Sequence, residues 1–550
     1  MTHLGLVDLL SLSKVCKDLR TVVWLLHVKH RLHVRPSATL NEEAFSQHKR
    51  KDRGGTGTIT QVLFFLEENC PRLGSMDASH CEFLVDPHLH LLPTSLLELD
   101  LRFCSRITGL GALQERLVHL RSLNIGWCSG LPSLEGLPSH LHDLNLSGLT
   151  FHMRELVHLP KGLKALNLSN VEIEAFDAST WHRYLPPQLQ QLVLDGCDFV
   201  TTEACQALPK ELRLLDLSDT KVSDRAMGLL PRRLTALDLS HCRQLLGNGW
   251  KDLPSGLSSL NLCECLELRH LRDLPDALQE LKLGPSPTSL SSEEAERGFL
   301  PPSLRALELH NWTAPLRFPG SLASSLQELR FCISGRDGER NAVVPYPQLM
   351  GLSSLRSLSI PILAGAKLPQ SVKDLEIVLT TRSNDTAFAE HLSPLHTLRI
   401  REHNVFRGDP IPPPLQATDR LYLRRDSKIT CAQLPPTLNV LKADIPENDL
   451  QNLPSGLTRL ELLDFRGPAE RLALLPPSIR KLTLHWRASL EEKEERWYGR
   501  KYVKGKEEEE EEGGEGGIED SLLRYLPTAL RVLRIKRDHG VEHVLDLFEA

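Results

Sequence analysis

Leu208-Pro209-Lys210-Glu211-Leu212-Arg213-Leu214-Leu215-Asp216-Leu217 decides the reading of this chain, because its frame L-P-x-x-L-x-x-L-x-L keeps returning. It stands at Leu92-Pro93-Thr94-Ser95-Leu96-Leu97-Glu98-Leu99-Asp100-Leu101 and at Leu159-Pro160-Lys161-Gly162-Leu163-Lys164-Ala165-Leu166-Asn167-Leu168. Late copies begin at Leu300-Pro301 and Leu526-Pro527. Twenty phased copies run from Leu73 to Leu530 with a median spacing of 23 residues. Two are degenerate: Met76 and Ala78 replace leucines in the first, and Thr418 opens a later one.

In L-x-L the two leucines point to one face of a short strand and the residue between them to the other. One such strand cannot bury its apolar face alone, so copies must stack at about 4.8 Å per coil around a shared interior. The proline lacks an N–H and restricts its predecessor, which predicts extended geometry where each return segment ends. Return segments such as Thr201–Leu208 and Val222–Leu229 carry caps and helix formers, and predict short helical turns. Spacing breaks mark loops: an enlarged return over Ser334–Pro347, and a 51-residue interval between the copies at Ile479 and Leu530.

Composition agrees. Hydrophobic residues make up 41% of the 550, but aromatics only 5%, an aliphatic core suited to stacked leucines. The net charge is −6; residues 507–520 hold nine of the 71 acids and no base, leaving 62 acids against 65 bases elsewhere. That near-neutral remainder gives non-specific nucleic-acid binding no electrostatic support. No apolar run reaches the length of a membrane span, and the charges Asp8, Lys14, Lys17, Asp18 and Arg20 interrupt any secretory leader. Twelve scattered cysteines suit a reducing compartment, so a soluble cytosolic or nuclear protein is expected.

With this frame the chain resembles leucine-rich-repeat proteins, and in particular the cysteine-containing repeats of F-box proteins. Cys81, Cys104, Cys128, Cys197, Cys242 and Cys265 stand three residues beyond the last core position in six of the first nine copies. There the backbone leaves the strand and turns inward, where a small residue that can bond stray amides is required. Residues 4–20, Leu4-Gly-Leu-Val-Asp-Leu-Leu-Ser-Leu-Ser-Lys-Val-Cys-Lys-Asp-Leu-Arg20, resemble the second half of an F-box, whose opening Leu-Pro and first helix would lie ahead of Met1. The resemblance implies that Leu4, Leu6, Leu9, Leu10, Leu12, Val15 and Cys16 dock on the Skp-type adaptor of a cullin–RING ubiquitin ligase while the repeats hold a protein substrate. The spacing of Leu9, Leu12, Cys16, Leu19 and Val23 itself supports a helix, which could equally cap the open end of the ladder.

The expected fold is therefore an α/β leucine-rich-repeat solenoid with a parallel strand ladder on its concave face. A helical F-box-like segment occupies residues 1–35 and a polar basic linker residues 36–58, with Lys49-Arg50-Lys51 as a short nuclear-import candidate. The repeats fill 59–489, an acidic disordered insertion 490–520, and a last repeat with a C-terminal cap 521–550. The residues between core leucines should line the concave face as the partner-binding strip. They include Asp100, Asn124, Asn145, Asn167, Asp216, Asp238 and Asn261, then Lys282, Arg330, Arg399, Tyr422 and Lys442. Short polar side chains in that row could instead serve neighbouring strand edges. No metalloprotease, nucleophile-elbow, phosphate-loop or dinucleotide motif occurs, so neither enzyme nor cofactor is expected. The function anticipated is substrate recognition for a ubiquitin ligase, with a plain interaction scaffold as the alternative.

Overall fold

The computed structural model describes residues 60, 63–64, 66–67, 73–81, 83–285, 300–312, 318–332, 349–362, 368–380, 395–400, 418–423, 431, 434–445, 447–465, 469–486, 525–537 and 542–546. Residues 1–35, 36–58, 334–347 and 490–520 lie outside them, and with them Leu4 to Cys16 of the F-box-like segment. The chain divides into two compact units, Met1–Leu304 and Arg305–Ala550.

In the first unit, strands at Ser75–Asp77, Glu98–Asp100, Ser122–Asn124, Asp143–Asn145, Ala165–Asn167, Gln191–Val193, Leu214–Asp216, Ala236–Asp238, Ser259–Cys263 and Glu280–Gly284 pair in parallel, each with the next. The register never slips, so Leu99, Leu123, Leu144, Leu166, Leu192, Leu215, Leu237, Leu260 and Leu281 form one continuous inward row. All nine are buried. Even the degenerate first copy contributes a coil, with Leu73, Met76 and Ala78 buried in the leucine positions. Met is flexible enough to fill that slot.

The second unit repeats the pattern with strands at Ala306–His310, Glu328–Cys332, Ser357–Ile362, Asp374–Thr380, Thr397–Ile400, Arg420–Leu423, Val440–Ala443, Arg459–Phe465, Lys481–Trp486 and Val532–Arg537. Lys481–Trp486 and Val532–Arg537 are direct neighbours, so the 51-residue interval inserts no strand between them. Glu542–Asp546 then runs antiparallel along Val532–Arg537 and covers that edge.

Many return segments hold short 3-10 helix of five or six residues, as expected at Glu203–Ala207 and Asp224–Leu229, and also at Met153–His158, Glu447–Asn452 and Ala469–Leu474. α-Helical turns are brief, as at Asp86–Leu89 and Gly111–Arg116. The proline of the L-P-x-x-L frame does not simply impose extension on the residues after it. Its carbonyl accepts the N–H of the leucine three residues on, at 3.3 Å for Leu96 to Pro93 and Leu212 to Pro209, and 3.1 Å for Leu457 to Pro454. Pro-x-x-Leu is thus a turn that swings the chain from the return segment into the next strand; a fixed φ at its first position preorganises it.

Because each inward leucine touches the coils on both sides, truncating one leaves a cavity that neither neighbour can close. Leu260→Ala should lower the free energy of unfolding by about 2–5 kcal/mol in urea titrations. A loss below about 1 kcal/mol would show that the coil interior is not close-packed.

Candidate partner-binding surface

Side chains on the open face of each ladder are set by register. In the first unit Asp77, Asp100, Asn124, Asn145, Asn167, Val193, Asp216, Asp238, Asn261 and Lys282 align in one row, coil after coil. In the second, Arg330, Arg399, Tyr422 and Lys442 fall in a corresponding row with Glu308, Ser359, Glu376, Glu461, Thr483 and Arg534. Every row residue singled out in the sequence therefore lies on the open face, but not in one chemical state. Lys282, Arg330 and Arg399 are exposed, whereas the Asp and Asn residues are half-buried.

Those short side chains are engaged by the backbone. The Oδ1 of Asp100 accepts the Arg102 N–H at 3.1 Å, Asn124 that of Gly126 at 3.1 Å, and Asn145 that of Ser147 at 2.9 Å. Asn167, Asp216, Asp238 and Asn261 do the same for Ser169, Ser218, Ser240 and Cys263 at 2.8–3.1 Å. Each closes a local turn over the amide two residues on, and all but Asn261 stand at the end of their strand. All the coils with Asp or Asn here have three-residue strands, Ser259–Cys263 excepted, while the second unit, with no such residue in the row, has strands of four to seven residues. The sequence carried a readable signal for this, the repeated Asn-Leu-Ser and Asp-Leu-Ser at 145–147, 167–169, 216–218 and 238–240.

The next position is left-handed in coil after coil. His80, Phe103, Trp127, Gly148, Asn170, Gly196, Asp219, His241 and Glu264 all have φ between 51° and 67°. Each N–H donates to a carbonyl of the following coil, Phe103 to Gly126 at 3.0 Å and Trp127 to Ser147 at 2.7 Å. One residue further, the cysteines complete the corner. Cys104 Sγ donates to the Ala78 carbonyl at 3.2 Å, Cys128 to Leu101 at 3.1 Å, Cys197 to Leu168 at 3.0 Å, Cys242 to Leu217 at 3.1 Å and Cys265 to Leu239 at 3.1 Å. The sequence expectation of a residue that bonds stray amides is refined: these thiols donate to stray carbonyls of the preceding coil. Thr220 fills the place in its coil, its hydroxyl 2.6 Å from the Leu217 carbonyl. Burial pushes the Cys128 thiol up to about 11 and the Cys197 thiol up to about 12, so neither is a nucleophile at neutral pH.

Sequence reasoning did not anticipate what the left-handed row presents at one end. The rings of His80 and Phe103 stack at 4.4 Å with 14° between planes, and Phe103 and Trp127 at 6.0 Å with 9°. Trp127 lies over Gly148, where a Cβ would come within 2.3 Å of the indole; φ there is +66°, so glycine suits both demands. Phe103 is 40% exposed and Trp127 46% exposed. Bulky residues at positive φ cost about 1 kcal/mol or more, and such strain gathers at functional sites. In the second unit the face is ionic instead. Arg399 sits 5.1 Å from the centre of the Tyr422 ring, and Glu461 takes Lys442 at 2.8 Å and His485 at 3.0 Å. Burial works against the Glu461 carboxylate, but these two partners together hold it below its ordinary range.

No protein-family model matches the chain. Disease resistance protein RRS1 of Arabidopsis thaliana is 26% identical over 221 residues, 40% of this chain and 16% of that protein. Probable disease resistance protein At4g19520 of the same plant is 30% identical over 199 residues, 32% of this chain and 10% of that protein. The match therefore spans less than a fifth of these relatives' length. Among solved structures, the TLR13–ssRNA13 complex aligns over 76% of this chain and 72% of that one at 19% identity, TM-score 0.47. CroV588, a circular leucine-rich-repeat protein, aligns over 87% and 67% at 17% identity, TM-score 0.41. The architecture is a leucine-rich-repeat ladder. No described helix is long and apolar enough to cross a membrane.

Asp216 tests how far the Asx row is structural. Burial raises its carboxyl above the ordinary 3.8, against the bonds from Ser218, and the charges of Asp238 and Asp195 add to the rise. A carboxyl whose folded pKa lies above its unfolded value contributes stability below 3.8 and loses it as pH climbs through the higher folded value. Asp216→Asn keeps the Oδ1 acceptor and removes that charge, so its thermal midpoint at pH 7 should equal or exceed that of the native chain. Asp216→Ala should instead lose about 1–2 kcal/mol, because the Ser218 N–H loses its partner.

Proposed function

We propose that this chain is a non-enzymatic protein-interaction scaffold, and that a protein partner is held on the first unit by the ring stack and the ladder face beside it. One observation carries this reading: three aromatic rings, His80, Phe103 and Trp127, are stacked at the surface on backbone held at positive φ. Exposed, preordered rings lose little entropy on binding and take apolar, aromatic or cationic side chains on their faces. The carboxylates of the ladder row are taken up by their own turns, Asp100 also by the Arg102 guanidinium at 3.1 Å, so the rings are the groups this end offers to a partner. The ladder supplies orientation and proximity, and no bond chemistry is assigned to it. The compartment in this reading is the cytosol or the nucleus.

A finer version makes the chain the substrate-recognition subunit of a cullin–RING ubiquitin ligase. What supports it is the likeness of residues 4–20 to the second half of an F-box, followed by six coils of the cysteine-containing kind. Leu4, Leu6, Leu9, Leu10, Leu12, Val15 and Cys16 would then meet a Skp-type adaptor. The two versions share the partner surface and differ in this one additional contact.

Photo-crosslinking from a residue introduced at Phe83, partly exposed and three residues beyond His80, should recover a protein whose affinity for the chain can be titrated. Phe103→Ala with Trp127→Ala should weaken that affinity at least about tenfold, with the far-UV circular dichroism of the ladder retained at the assay temperature because neither ring belongs to the leucine core. Unchanged affinity in the double variant would reject the ring stack as the contact. In parallel, the Skp-type adaptor should be retained by the native chain and lost with Leu9→Asp plus Leu12→Asp; no retention by the native chain removes the ligase version and leaves the scaffold standing.

A further inference from the structure

The second unit holds one cluster that neither the leucine ladder nor the ring stack explains. Glu308 and His310 stand two residues apart on the strand Ala306–His310, so both point to its open face. Cys332 is the register partner of His310 on the adjacent strand, Glu328–Cys332. Parallel strands about 4.8 Å apart therefore bring an imidazole, a carboxylate and a thiol together from two coils. One ligand atom from each lies within 4.8 Å of the others. Glu308 Oε1 is the hub, 2.9 Å from His310 Nε2 and 3.2 Å from Cys332 Sγ.

From this geometry we propose that Glu308, His310 and Cys332 form a divalent transition-metal site, with zinc as the ion whose preferences the donors match. Nitrogen, thiolate sulfur and carboxylate oxygen are a zinc donor set, and three protein ligands with a fourth place facing solvent make an open tetrahedral site. Ligand atoms around a tetrahedral zinc stand about 3.3–3.8 Å apart. The two distances from Glu308 need to widen by only a few tenths of an ångström, and the His310 and Cys332 donors already lie within 4.8 Å of each other, so χ rotations of Glu308 and Cys332 can supply the adjustment. Charge closes as well: one carboxylate and one thiolate neutralise the dication, while the imidazole binds in its neutral form. The exchange balances as metal dication plus Cys332 thiol going to metal thiolate plus one proton, which leaves to solvent. The imidazole moves its remaining proton from Nε2 to Nδ1, freeing Nε2 to bind.

Cys332 differs from every other thiol among the described residues. The other nine are buried, and Cys104, Cys128, Cys197, Cys242 and Cys265 face inward onto backbone carbonyls. Cys332 alone among them is partly exposed, on the open face, and its bond runs to a carboxylate. The inward corner position accounts for those five and not for Cys332.

Cobalt(II) added to the reduced full-length chain should give a thiolate-to-cobalt charge-transfer band and tetrahedral d–d bands that saturate at one equivalent. Zinc should then bleach both, and titration with zinc in weak buffer should release about one proton per ion. Cys332→Ser and His310→Ala should each abolish the charge-transfer band, while Cys431→Ser should leave it intact. Alkylation of Cys332 in the native chain, followed by mass spectrometry, gives a readout that depends on no variant folding. Zinc at about ten times its dissociation constant should slow that alkylation roughly tenfold. Absence of the cobalt band, its survival in Cys332→Ser or His310→Ala, or alkylation at the same rate with and without zinc would each overturn the assignment.

Discussion

A three-residue strand such as Leu214–Asp216 has one inward side chain and no hydrogen-bonding partner within its own coil. Its leucine and its backbone groups are satisfied only by the coils on either side. The rest of the molecule answers this mutual dependence. Each coil must leave the ladder at the same height as its neighbour, or the next strand has nothing to pair with. Three devices act together at that exit. An Asp or Asn oxygen caps the amide two residues on, a left-handed residue sends its N–H to the following coil, and a thiol or hydroxyl closes a carbonyl. They recur in consecutive coils because a stray polar group at any one corner would be buried without a partner.

The same demand divides the two faces chemically. Where Asp and Asn serve the backbone, their oxygens are largely spent, and the groups left to meet a partner are those the left-handed row projects outward. His80, Phe103 and Trp127 occupy that row at one end of the first unit. Where the row holds Glu, Arg, Tyr and Lys, side chains are too long for the local cap. They reach across to neighbouring coils instead, as Lys442 and His485 do to Glu461. Strands are longer there, as at Asp374–Thr380 and Lys481–Trp486. The cluster of Glu308, His310 and Cys332 belongs to this second regime, with strands long enough to carry a third outward residue beyond the leucine pair.

Periodicity alone located the coils, the inward leucines and the outward row, because side chains alternate along a strand by covalent geometry and the repeat is phased throughout. It also located the turns of 3-10 helix at Glu203–Ala207 and Asp224–Leu229, but not their caps: the Thr202 and Ser223 hydroxyls bond each other across coils and neither caps its own turn. The role of the outward row was less legible. Asn167 and Arg399 occupy equivalent positions in the repeat, but one closes a backbone turn and the other lies against an aromatic ring of the next coil. The Asx-Leu-Ser text could have revealed the first; nothing local could reveal the second, because its partner sits one full coil further along the chain.

By itself, then, the amino-acid order determined a stacked leucine ladder, since a strand with one apolar face has no other means of burying it. The stacking of His80 on Phe103 and of Phe103 on Trp127 was decided only by the tertiary structure, and so was the meeting of His310 with Cys332. These contacts join residues more than twenty positions apart, and they exist because register sets equivalent positions of adjacent coils side by side, about one strand spacing apart.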